Sequence, residues 1–238
     1  MTLTVEQIIK VLKQKNYSVF EQDTKNFNVN IVGIRSAIQK SNSFDDLITV
    51  FWKYQGKWEL RVFPCTTDPG AYWLRNPSDP NGTGILKEGQ YLQTYQIDLH
   101  QGKYKALCQR LKPVTVIRDF DLDDELDFYA PDLSKLTKKE KKSSTETVIE
   151  WHDLKKKIWV EATGMYGVNI HRANENGQSV SVEKWSAACQ VLQNRSIFNP
   201  DNQAVKVYEF DYFMYLMSKA AEIYGNKFSY TLLNAKNF

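Results

Sequence analysis

His171 and Cys189 stand eighteen residues apart, within Gly167-Val168-Asn169-Ile170-His171-Arg172 and Trp185-Ser186-Ala187-Ala188-Cys189-Gln190-Val191. A cysteine attacks as its thiolate, and an ordinary thiol is mostly protonated at neutral pH. An imidazole beside it can take that proton and return it to a leaving amine. The chain holds three histidines and three cysteines in 238 residues, so the pairing selects from few candidates. The competing reading is a buried structural cysteine near a hydrogen-bonded histidine.

The order of the two residues discriminates among families. Papain-like and related cell-wall peptidases place the cysteine first. Here His171 comes first, with Ser186 three residues before Cys189. This resembles the L,D-transpeptidase catalytic domain family (YkuD-like), whose pattern is His-Gly, a loop of similar length, then Ser-His-Gly-Cys. Upstream, Thr66-Thr67-Asp68-Pro69-Gly70-Ala71-Tyr72 is loosely similar to the Thr-Pro-x-Gly-x-Phe/Tyr segment of those domains. The resemblance covers about residues 45–200 and is sharp only around His171 and Cys189. It implies Cys189 as nucleophile, His171 as its base and Ser186 as a catalytic-motif residue, with no cofactor and no metal. Tyr72, Trp73, Arg172, Trp185, Ala187 and Ala188 are the matching substrate-side positions. The departures are Arg172 for the glycine after the histidine, Ala187 for the second histidine and Ala188 for the glycine before the cysteine. Val191 stands where the family has Arg or Asn. Ala188 places a methyl group where the oxyanion-binding turn uses unusual backbone angles.

These residues need a scaffold, and the chain is long enough for one large domain or two small ones. Aromatic residues make up 13% of it, which suits a β-rich fold and aromatic-lined surfaces. A net charge of +3 is too small to argue for nucleic acid without a clustered patch. Cys65, Cys108 and Cys189 form no close pair and no Cys-x-x-Cys, so neither a disulfide framework nor a zinc site is indicated. No run approaches the ~18 apolar residues of a membrane span. The start, Met1-Thr2-Leu3-Thr4-Val5-Glu6-Gln7, lacks the pattern of a signal peptide. Cytoplasmic synthesis is expected, or packing into a virion released by lysis.

Thr4 and Gln7 predict a capping box for a helix over 4–15, with Val5, Ile8, Ile9 and Leu12 on one face. A strand is expected over 28–35. A hairpin is expected from 47–54 and 58–65 around Gln55-Gly56-Lys57. The turn-rich stretch from Asp68 to Gly84 predicts one long loop beside the site. Further strands are expected over 85–86, 91–97, 104–109 and 114–118. Alternation makes Cys108 a packing residue. His100 reads as a turn residue at the wall of a site.

The segment 119–146 opens with Asp119, Asp121 and Asp123 and ends in a lysine run over 135–142. A calcium loop starting at Asp119 would need glycine at Asp124 and glutamate at Ala130, so an exposed, mobile charged loop is expected instead. Strands over 147–151 and 157–162 lead to the His171 strand, and another starts after Cys189. A helix over 211–224 should end at Gly225, with a closing strand over 228–233. The fold class expected is α+β, a mainly β L,D-transpeptidase-like core with N-terminal and C-terminal helices. Residues 1–44 form a helix and strand of the same domain as 45–238.

The function expected is acyl transfer or hydrolysis on peptidoglycan stem peptides, through Cys189 and His171 in one cleft. The alternative is a catalytically inactive structural or wall-binding component of a phage particle or lysis system, with virion proteins as partners. Nucleic-acid binding would rest on the lysine run alone, and such a segment binds polyanions nonspecifically.

Overall fold

The computed structural model describes residues 3–21, 25–38, 40–119, 126, 136–142, 147–153 and 158–238. Helix α1 (Val5–Gln14) begins where Thr4 and Gln7 cap each other reciprocally, side chain to backbone N–H. Its buried Val5, Ile8, Val11 and Leu12 pack on Val32, Ile34, Phe51 and Leu233, so the N-terminal segment is seated on the strands that follow.

Those strands are β1 (Asn30–Arg35), β2 (Asp46–Tyr54) and β3 (Lys57–Thr66). The β2–β3 turn places Gln55 at φ 52° and Gly56 at φ 80°, the left-handed pair that a two-residue hairpin with the sheet's own twist requires. Next come α2 (Ala71–Arg75), β4 (Thr83–Leu86), β5 (Gly89–His100), β6 (Tyr104–Gln109), β7 (Val114–Asp119), β8 (Leu136–Lys142), β9 (Thr147–Asp153) and β10 (Ile158–Gly164). The chain ends with β11 (Ile170–Arg172), β12 (Gln190–Leu192), β13 (Ser196–Asn199), β14 (Asn202–Tyr208), α3 (Glu209–Tyr224) and β15 (Phe228–Asn234).

Eight strands close a barrel in the order β1-β15-β5-β6-β11-β12-β3-β2. Two of its pairings are parallel: β1 with β15 (Ile31 opposite Tyr230) and β11 with β12 (Ile170 opposite Gln190). A second sheet runs β4-β7-β10-β9-β8, and β13–β14 is a separate hairpin. The apolar face of α3 puts Phe210, Phe213, Leu216 and Met217 into one cluster with Ile48, Phe63, Cys65, Leu107 and Cys108. The molecule is α+β and mainly strands. Among the described residues no helix is long and apolar enough to cross a membrane.

Three expectations change. The stretch 68–84 is not one loop, because Leu74 is fully buried and anchors α2. The lysine-rich residues 136–142 form a strand paired with β9, Lys139 opposite Glu150, where a loop was expected; backbone pairing overrides the charge pattern. The rest of the expected charged loop, 120–125, 127–135 and 143–146, lies outside the described residues. The β13–β14 hairpin was not anticipated.

Candidate active site

Strand β11 is three residues long and lies between β6 and β12. Ile170 turns into the core, so alternation sends Asn169 and His171 to the opposite face. His171 pairs with Val191 across the parallel ladder, and Cys189, two residues before Val191, therefore shares the His171 face. The neighbours of the Cys189 sulfur along that face are the Asn169 N–H and the Gly167 carbonyl. The Gln190 N–H bonded to the Asn169 carbonyl at 2.9 Å fixes that register.

A second hairpin covers the imidazole. Gln101 and Gly102, at φ 50° and 73°, turn the chain between β5 and β6, bringing His100 opposite Tyr104. The His100 ring stacks on His171 with centroids 4.1 Å apart. Asn169 lies 3.0 Å from the His100 Nδ1 and accepts the Gln109 N–H. His100 is thus the last residue of a strand and buried, not a turn residue, and it lines the cleft as expected of a site wall while stacking on the base.

The His171 Nδ1 lies 2.7 Å from the Arg172 carbonyl. A carbonyl only accepts, so Nδ1 carries the proton and Nε2 is the basic nitrogen. The Tyr104 hydroxyl adds a contact at 3.3 Å. Burial holds the imidazole down to about 3, helped by His100 and by the Arg172 charge.

Cys189 is half-buried, whereas Cys65 and Cys108 are buried. Its sulfur accepts the Asn169 N–H at 3.4 Å and faces the Gly167 carbonyl at 3.6 Å. Burial pushes the thiol up to about 11. Both groups are therefore neutral at rest. The pair is not a preformed thiolate–imidazolium, and the proton must move during attack.

The turn before Cys189 is strained. Ala188 sits at φ 152°, a conformation otherwise almost confined to glycine. Among the described hydrogen bonds none uses the N–H of Ala187, Ala188 or Cys189. Ser186 is fully buried, and its hydroxyl donates to the Cys189 carbonyl at 2.8 Å. It braces the turn, and its described hydrogen bond goes to the Cys189 backbone, not to the sulfur or imidazole. The Ser186 carbonyl accepts the Gly70 N–H at 2.9 Å. A β-carbon at Gly70 would come within 2.0 Å of the Glu183 oxygen, so only glycine lets the two segments meet.

Under that contact lies a buried charge cluster. The Arg35 Nε reaches Asp68 at 2.8 Å and Thr67 Oγ1 at 3.0 Å, and its Nη2 reaches the Thr67 and Leu86 carbonyls at 3.0 Å. Asp46 accepts the N–H and hydroxyl of Thr67 and the Ser36 N–H. Burial, set against the Arg35 charge, raises Asp68 to about 7.

A cleft of about 540 Å³ opens beside this arrangement. His171, Arg172 and Trp185 line it, together with His100, Tyr104 and Lys184. Cys189, Tyr72 and Trp73 do not. Trp73 instead donates to the Lys184 carbonyl at 3.1 Å, and the Lys184 ammonium lies 4.2 Å from the Tyr72 ring centre, so the 66–84 segment supports the rim. Ala187 is exposed. Among the described residues no three His, Cys, Asp or Glu side chains gather at a possible metal site. Comparison with family models, with curated proteins and with solved structures finds no match for the chain.

Proposed function

We propose that this protein is an L,D-transpeptidase-like cysteine enzyme that transfers or hydrolyses acyl groups of peptidoglycan stem peptides. The observation that carries the reading is the β11–β12 register, which puts Cys189, one residue before β12, on the His171 face, after a turn with Ala188 at φ 152°. The Cys189 sulfur attacks a substrate amide carbonyl while its proton passes to Nε2 of His171. The carbonyl oxygen, now negative, takes hydrogen bonds from the turn at Ala187–Cys189, a task worth ~3 kcal/mol per donor. Collapse breaks the C–N bond, the imidazolium gives its proton to the leaving amine, and a thioester remains on Cys189. An acceptor amine makes the result transpeptidation; water makes it hydrolysis. The Arg172 carbonyl holds the ring's tautomer and stabilises the transient imidazolium.

One observation favours the second reading, a non-catalytic wall-binding component of a phage particle or lysis system: at rest the thiol faces the Gly167 carbonyl instead of the imidazole. Incubating sacculi and muropeptides with the protein and with Cys189→Ala, and comparing products by mass spectrometry, separates the two. New cross-links or cleaved stems only with the unsubstituted protein support the enzyme. Identical profiles select the binding component.

A further inference from the structure

Three cations and one carboxylate line the cleft beside His171: Lys103, Arg172, Lys184 and Glu175. With both histidines neutral, the cavity carries an excess of two positive charges. Arg172 is the best placed. Its side chain is 13% exposed, its guanidinium lies 3.9 Å from the Tyr104 ring centre, and one nitrogen pairs with Glu175 at 2.7 Å. A guanidinium this close to an aromatic ring is held in place and can still pair with a carboxylate through its N–H donors. Glu175, in contrast, is 69% exposed, so its side chain can swing into solvent at little cost.

We infer that this cleft is a subsite for a carboxylate of the peptide ligand, gripped by Arg172, with Glu175 occupying the cation until the ligand displaces it. The inference rests on the reading of the cleft as a stem-peptide site and narrows it to substrates bearing a free carboxylate. Lys103, on the β5–β6 turn, and Lys184, on the opposite rim, raise the local potential and favour entry of an anion. Trp185, 45% exposed, supplies an apolar wall. Because Arg172 and His171 line the same cleft and both contact Tyr104, a carboxylate held there positions the attached peptide near the base.

The test is calorimetric binding to the Cys189→Ala protein, which removes turnover from the measurement. The probes are a stem tetrapeptide with free carboxylates and its carboxamide counterpart. The free acid should bind about tenfold more tightly at low salt, and the preference should shrink as salt rises. Arg172→Gln should erase the preference. Glu175→Gln should tighten the free acid about threefold and leave the amide unchanged, since a competing anion is lost. Glu175 and Lys184 are exposed, so Glu175→Gln and Lys184→Gln report even where Arg172→Gln fails to fold. Equal affinities for acid and amide, no measurable binding of either, or weaker binding in Glu175→Gln overturns the inference. Charge-dependent binding without turnover by the unsubstituted protein removes acyl transfer and leaves the subsite standing. Turnover indifferent to amidation does the reverse.

Discussion

The barrel holds two buried polar clusters on neighbouring strands, joined by the contact of Gln190 with the Thr67 carbonyl. Around Arg35, Asp46 and Asp68, charge meets charge and the surrounding N–H and hydroxyl groups find acceptors. Around His171 and Cys189 the groups are held neutral, the described hydrogen bonds do not use the N–H groups of residues 187–189, and Ala188 carries a strained backbone. A protein gains rigidity from closed networks such as the first. Open donors and strain persist only where the surroundings enforce them, and they concentrate at working sites. The difference sets a structural cluster apart from a candidate site.

The sharpest way to break the comparison is to open the closed cluster. Arg35→Ala leaves Asp46 and Asp68 facing each other in a nearly dry interior. It should destabilise the fold by about 3–5 kcal/mol, measured by urea unfolding. A loss near that of an exposed salt bridge would show that water reaches the cluster.

Next in size comes pH. Asp68 is raised in the folded state, so its contribution is complete below the ordinary carboxylate range and disappears as pH climbs toward about 7. His171 is lowered, so its contribution is complete above the ordinary imidazole range and disappears as pH falls toward about 3. His100 is lowered by burial and acts in the same sense as His171. Between about pH 4 and 6.5 the two clusters oppose each other. Asp68→Asn should therefore show a urea midpoint that falls on acidification through this window. His171→Gln should show one that falls less, or rises. Parallel profiles for the two variants would contradict the assignment of the shifts.

Smaller still is Ala188→Gly. Releasing φ 152° should raise stability by about 1 kcal/mol after allowing for the more flexible unfolded chain. A loss of stability would mean that the methyl packing, including its approach to Gly84, outweighs the backbone strain.

Much of the scaffold was legible in the sequence, and the reasons are local. Thr4 with Gln7, the Gln55–Gly56 turn and the stop at Gly225 act through neighbouring residues, so pattern alone places α1, β2–β3 and α3. The β13–β14 hairpin escaped notice because Asn202-Gln203-Ala204-Val205 is exposed and lacks a buried alternating face. Barrel closure through β1 and β15 joins strands almost two hundred residues apart, and nothing local encodes it. At the site, His171 and Cys189 were visible by type and spacing. His100 was visible as a wall residue, but its stacking on His171 was not, because that contact spans seventy-one positions. Arg35 escaped for the same reason, since its partners Thr67, Asp68 and Leu86 come from other segments.

An enzyme of the proposed kind carries the acyl group on Cys189. Intact-mass spectrometry after rapid mixing with stem peptides, quenched in acid to preserve thioesters, tests it directly. The expected result is an added acyl mass on the protein, mapped to Cys189 by digestion, absent in Cys189→Ala and strongly reduced in His171→Gln. An adduct that survives in Cys189→Ala, or no adduct alongside turnover of the same peptides, would contradict it.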